Sequence, residues 1–310
     1  METRNKLNTY IESLAEKNII SIKQLDWTTQ YDLELYDYLI ELQIGQFKTT
    51  GRGTDKDETT AIQIAFSEAV ERLVIKEHNI SNSSGCAVHL DQAQSSINSR
   101  NELIERDCFL CHFYLRSDFR KTRINEKNSL TTLFKKIGIT YRNYLLCDSD
   151  IHICLNVIFS KSGIILGMGT NNNLEQAVFK AMIESVRQYI HIIQFSNKQT
   201  ISLDELRQKQ NLTFNDHGNL LFDIEYLAKV SDLLRTNECI NYCYPQIGFK
   251  STKYQSVILP DLPLVFTKTN NEYLQSLFLG QPHNNLNVKR LNEFKVSQDN
   301  FLSNLPHPLR

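Results

Sequence analysis

Four glutamates and two arginines carry the chemistry written most plainly in this chain: Glu68, Glu71 and Arg72, then Glu102, Glu105 and Arg106. Each set reads Glu-x-x-Glu-Arg. In a helix, positions i, i+3 and i+4 share a face, so each set presents two carboxylates beside a guanidinium. Adjacent carboxylates repel unless a cation lies between them, and hard divalent ions take oxygen ligands. Two such helices suggest a site for a divalent cation and the phosphates it carries. One alone would read as a solvated face with Glu68–Arg72 or Glu102–Arg106 salt bridges.

A wider pattern positions these residues, and it occurs three times. Gly51 is followed by Ala61, Ala65 and Glu68; Gly85 by Ser95, Ser99 and Glu102; Gly167 by Ala177, Ala181 and Glu184, each at spacing 10, 4 and 3. This reads as a glycine turn, a helix packed through its small residues, and a carboxylate at constant depth. The expected helices cover 58–76, 91–115 and 174–195, with Asp91 as an N-cap and residues 171–173 opening the third. Residues 139–147, 151–159 and 163–168 read as strands separated by turns at 148–150 and 161–163. Strand, glycine turn and helix form an α/β unit whose helix start offers N–H groups to an anion.

The flanks are less periodic. Residues 1–45 read as two or three short helical stretches, although the segment from Asp37 reads equally well as a strand. A helix is expected near 222–236, and residues 254–268 suggest two short strands around a proline turn. All six prolines fall from Pro245 onward, and the tail from residue 300 should be extended.

A chain of 310 residues with 41% hydrophobic and 22% charged content can bury a large core. A net charge of −1 gives no support for nucleic-acid binding. No run approaches the about 18 apolar residues of a membrane span, and the polar N-terminus is no signal segment. Seven scattered cysteines favour reduced thiols and a cytoplasmic setting. Cys108, Cys111, Cys239 and Cys243 could ligate zinc, with His112 spare. The plainer reading buries Cys108 and Cys111 on the second helix.

The strings GRGTDKDETTAIQIAFSEAVER (51–72), SSGCAVHLDQAQSSINSRNELIERD (83–107) and GMGTNNNLEQAVFKAMIESVRQY (167–189) resemble the YcaO domain family. That resemblance covers roughly residues 45–195. It implies binding of ATP and Mg2+ without a Walker A loop, and none occurs here. It implies Glu68, Glu71, Glu102 and Glu105 as Mg2+ ligands, and Arg72 and Arg106 as nucleotide contacts, together with Ser84 and Gly85 at the second glycine turn. Glu184 and Gln188 fall where the family places groups near nucleotide and substrate. Pro308 matches part of the proline-rich tail that reaches the active site in azoline-forming members.

The implied fold is mixed α/β, with three glycine-turn–helix units packed with β-sheet. Residues 1–45 form a lead-in, 46–195 the ATP/Mg-binding core, and 196–310 a C-terminal part completing the domain. The implied reaction is ATP-dependent activation of a backbone amide in a ribosomally made precursor peptide, with azoline-forming cyclodehydration of Cys, Ser or Thr leading. Thioamide or amidine formation, or a catalytically reduced scaffold subunit, are the alternatives. No leader-binding domain is recognisable, so a separate leader-binding or E1-like partner is expected, and a homodimer stays open.

The chain departs from the family pattern in several places. Glu71 and Glu102 lie only 31 residues apart, far closer than in familiar members. His89 replaces a glycine, Gln94 an acid and Arg187 a glutamine.

Overall fold

A computed structural model describes residues 2–115, 119–122, 129–160, 163–195, 200–209, 212–236, 252–259, 262–280, 282, 285–293 and 305–309. The chain begins with α1 (Glu2–Glu16), β1 (Ile20–Gln24), α2 (Trp27–Gln30), β2 (Tyr36–Ile44) and β3 (Phe47–Asp55). Then come α3 (Glu58–Glu77), β4 (Cys86–His89), α4 (Gln92–Tyr114), β5 (Arg120–Lys121) and α5 (Ser129–Lys136). β6 (Thr140–Asp148), β7 (His152–Ser160), β8 (Gly163–Asn171) and α6 (Leu174–Phe195) form the middle. α7 (Leu203–Gln208), α8 (Phe214–Asn219), α9 (Ile224–Thr236), β9 (Lys253–Ile258), β10 (Val265–Asn270) and α10 (Val288–Asn292) complete the described elements.

The chain divides into two compact units: Met1–Leu103 with Thr252–Asn271, and Ile104–Ser251 with Glu272–Arg310. α4 contributes its first part to one and its second part to the other. In the first unit, antiparallel sheets run in the orders β1-β2-β3 and β4-β10-β9. Their core gathers Leu7 and Ile11 of α1, Ile40 and Leu42 of β2, Phe66 and Val70 of α3, and Phe266 of β10. The second unit holds the antiparallel sheet β5-β6-β7-β8, packed against α6. Among the described residues no helix is long and apolar enough to cross a membrane.

The mixed α/β fold with three repeated strand–helix units is as expected, but the role of its glycines is not. Gly51 and Gly167 do not form turns. They lie inside β3 and β8, and two residues separate each strand's end from the helix that follows. A Cβ on Gly51 would meet Ala65 O at 2.1 Å and Ala69 N at 2.3 Å; on Gly169 it would meet Ala177 O at 2.2 Å. The repeated glycines and alanines therefore let a strand backbone lie directly on a helix backbone, which no side chain could permit. Of the three repeat glycines, Gly85 alone has turn geometry, with φ +75° just before β4. There hydroxyls replace bare contact: Ser95 donates to Ala87 O and Val265 O, and Ser99 pairs with Thr269.

The N-terminal reading also needs correction. Residues 20–24 are a strand, not a helix, because Ile20 to Gln24 pair in register with Leu42 to Tyr38 of β2.

Candidate functional site

The three strand–helix joints are built alike. Asp57, Asp91 and Asn173 cap their helices, accepting from the N–H of Thr60 at 2.9 Å, Gln94 at 2.8 Å and Gln176 at 3.0 Å. Two residues earlier, Asp55, His89 and Asn171 accept from the N–H of each capping residue. His89 thus does with its Nδ1 what a carboxylate and an amide do in the other joints. These caps occupy first-turn donors, so the helix starts are not the open anion cradle expected from the sequence.

In the first unit, α3 and α4 bring Glu68 and Glu102 into electrostatic reach of Glu71. Glu68 accepts from the Arg52 N–H at 2.8 Å and pairs with Arg72 at 2.6 Å. The Glu71 carboxyl is pushed well above its usual range by burial, then by the charges of Glu102 and Glu68, against the pull of Arg72 and Lys268. Lys268 of β10 donates to the backbone oxygens of Asn82 at 2.8 Å and Ser84 at 2.5 Å, pinning the segment that leads into Gly85. Ser84 is fully buried and its hydroxyl has no hydrogen-bond partner among the described residues.

Arg52, whose N–H holds Glu68, is itself anchored. Its guanidinium grips the wholly buried Asp37, which also accepts from Thr54 at 2.8 Å and from the Trp27 indole. Neither Lys268 nor Asp37 was legible as part of the site, since each acts across strand pairings that spacing does not reveal.

In the second unit, Glu105 accepts from the Thr170 hydroxyl at the end of β8. Burial raises its carboxyl above the ordinary range; Arg106 and the Thr170 bond oppose this, while Glu184 adds to it. Lys180 donates to Thr170 O at 3.3 Å. Glu184 accepts from Gln188 at 2.9 Å and lies 3.7 Å from Arg187. The next residue on α4, Asp107, is wholly buried and gripped by buried Arg290 at 2.9 Å, while the Gln275 N–H adds a bond at 2.7 Å.

Pro308 lies in a buried tail. Residues 306–309 are all buried; Pro306 O accepts from Tyr226 at 2.7 Å, and His307 donates from Nε2 to Phe278 O at 2.6 Å. The tail is therefore pinned rather than frayed.

Glu102 and Glu105 stand three residues apart on α4, on one helix face. Among the described residues no three His, Cys, Asp or Glu side chains close on one point as they stand. Glu68 would have to leave Arg72 to join such a set. The gathered donors are all carboxylate oxygens, which suits Mg2+ and not zinc. Cys108 and Cys111 are buried in α4, and burial with the Asp107 charge pushes both thiols far up, away from the thiolates zinc requires. Cys239 and Cys243 lie outside the described residues.

Comparison with known proteins bears on the family and the fold. A family model described as YcaO cyclodehydratase, ATP- and Mg2+-binding, matches residues 73–243, more than half of the 310 residues. Glu68, Glu71 and Arg72 precede the matched stretch. The structure of YcaO from Methanopyrus kandleri bound with AMPPCP and Mg2+ is similar over 99% of this chain and 96% of that one, with TM-score 0.60 and 11% identity. A heterocyclase in complex with substrate and cofactor matches 94% of the chain, which spans 55% of that protein, with TM-score 0.59 and 12% identity. A chain of the E. coli microcin synthetase McbBCD complex matches over 75% of this chain and 84% of its own, with TM-score 0.51 and 12% identity. No curated protein sequence matches the chain significantly.

Proposed function

The chain belongs to the YcaO family, and from that premise we propose that it binds Mg·ATP and activates a backbone amide of a ribosomally made precursor peptide. Azoline-forming cyclodehydration is the leading reaction. The observation that carries the reading is the gathering of Glu68 and Glu102 around a Glu71 carboxyl whose charge is disfavoured until a cation joins it.

The residues fit the group. Glu68, Glu71 and Glu102 would hold the ion with carboxylate oxygens, and Glu105, one turn along α4 from Glu102, would be the fourth such residue. Were Glu68 to ligate the metal ion, Arg72 would lose its salt-bridge partner and could contact a phosphate, as Arg106 could beside Glu105. Ser84, next to Gly85, brings a buried hydroxyl without a partner among the described residues. Bound ATP supplies the γ-phosphoryl group that carries the amide oxygen away as phosphate. The protein's own part is positioning and charge neutralisation. Glu184, held by Gln188, would accept a proton from the attacking group, and Pro308, in the pinned tail, would serve as a stiff element. A separate partner protein delivers the peptide, in the cytoplasm. Sulfide or an amine in place of the side-chain nucleophile would give a thioamide or amidine with the same residues.

A second reading, a scaffold subunit without turnover, draws on one observation: Glu68 is already engaged by Arg72 and Arg52. Phosphate release from ATP, measured with a Cys- and Ser-containing peptide and its partner protein, separates the two. Release that depends on Glu71 and Glu105 supports the enzyme. Release unchanged by Glu71→Gln and Glu105→Gln removes it.

A further inference from the structure

We propose that the outer edge of β9 docks an extended segment of the substrate peptide, which joins the β4-β10-β9 sheet as a fourth strand. The proposal rests on the peptide-substrate reading above and adds where that peptide is held.

β10 is flanked on both sides, by β4 and by β9, whereas β9 pairs only with β10 among the described residues. The β9–β10 register runs unbroken from Lys253↔Asn270 to Ile258↔Val265. Every second residue of β9 therefore turns its N–H and C=O away from the sheet, ready for another extended chain. Natural edges of this kind are usually blunted by a bulge, a proline or inward charges. β9 has none of these, and its one charge is Lys253 at the start. All six side chains are exposed, including Tyr254 at 46%, Val257 at 45% and Ile258 at 72%.

A six-residue edge is small for a second copy of the chain, since stable interfaces take roughly 20–30 residues a side. It matches peptide binding by strand addition, where main-chain hydrogen bonds supply affinity and alternate side chains supply selectivity. The position also suits a substrate. Gln255 pairs with Lys268, the residue that pins the Ser84 segment and acts on Glu71. Strands lie about 4.8 Å apart, so an added strand runs roughly 10 Å from β10.

The register also sets a preference. Tyr254, Ser256 and Ile258 share a face, and Ser256 bonds Thr267 across the pair at 3.0 Å. The docked strand should carry apolar or β-branched residues four apart, opposite Tyr254 and Ile258, with a small residue between them.

Short random peptides displayed on phage and panned on the full chain test this, alongside a Tyr254→Lys, Ile258→Lys double variant. Both side chains are exposed, so folding should be unaffected; Mg·ATP binding by the variant serves as the check. The expected result is enrichment of peptides with apolar residues four apart, bound roughly tenfold more weakly by the variant, the scale of two lost cross-strand pairs. No enrichment, or equal affinity for both proteins, overturns the proposal. So does a concentration-dependent doubling of mass that the variant abolishes, which would assign the edge to a second copy. Peptides held at β9 by a wild type that binds no Mg·ATP uphold the docking edge and remove the amide-activation reading instead.

Discussion

Glu102 lies near enough to Glu71 that its charge, after burial, is the strongest influence holding the Glu71 carboxyl well above its ordinary range. The two residues sit on different helices, and folding brings them together. Such an arrangement destabilises the free protein and favours whatever cation relieves it.

Glu71→Gln should therefore raise the melting temperature in the absence of Mg2+, while lowering Mg·ATP-dependent activity roughly a hundredfold or more. Thermal denaturation with and without the metal, paired with phosphate release, reads both effects. A lowered melting temperature in metal-free buffer would mean that the carboxylate is a structural acceptor.

The pH dependence follows in sign. Glu71 and Glu105 have folded-state pKa values raised above the 4.5 of the free side chain. Their contribution to stability is complete below pH 4.5 and is lost as pH rises through the folded values. Metal-free protein should lose stability from this source as the solution becomes less acidic. Added Mg2+, which needs ionised ligands, should restore more at pH 8 than at pH 5. Melting curves across that range, with EDTA or Mg2+, check it; a metal effect greatest at low pH would contradict it.

Gly51→Ala and Gly169→Ala should each cost about 3 kcal/mol or more, because the new Cβ would meet helix backbone near 2 Å. Urea denaturation measures this, and a loss below about 1 kcal/mol would mean that strand and helix separate easily.

The repeat itself was legible in the sequence, and so were α3, α4, α6 and the strands between them, because glycine, small residues and glutamate recur at fixed distances. Its meaning was only partly legible. A glycine ten residues before an alanine looks the same whether it makes a turn or lies in a strand pressed against the helix. The carboxylates of Glu68, Glu71, Glu102 and Glu105 could be read from helix periodicity. Their supports could not: Lys268, Asp37 with Arg52, and Thr170 reach them through sheet register and long-range pairing. His89 looked like a departure from a pattern until its Nδ1 was seen receiving the Asp91 N–H. β1 was missed because one buried residue, Ile20, in a five-residue strand leaves little alternation to detect.

Arg290→Met should destabilise by about 3–5 kcal/mol, since Asp107 would keep a buried charge without its counterion. The double change with Asp107→Leu should recover much of that loss, because both charges are then gone. Equilibrium denaturation of the single and double variants decides. Equal losses in both would mean that packing, not charge, is the main term.

Removing residues 306–310 should abolish peptide turnover and leave Mg·ATP binding in place. It should also lower stability by about 1–3 kcal/mol, because the buried Tyr226 hydroxyl loses its acceptor. Turnover that survives truncation would take Pro308 out of the reaction.

The most direct test is calorimetric titration of ATP into the full chain, in Mg2+ and in EDTA, with Glu71→Gln measured in parallel. The account predicts binding to the wild type in Mg2+, its loss in EDTA, and its loss in the variant while the variant remains folded. Folded wild type that takes up no nucleotide, or a variant that binds Mg·ATP as the wild type does, would contradict it.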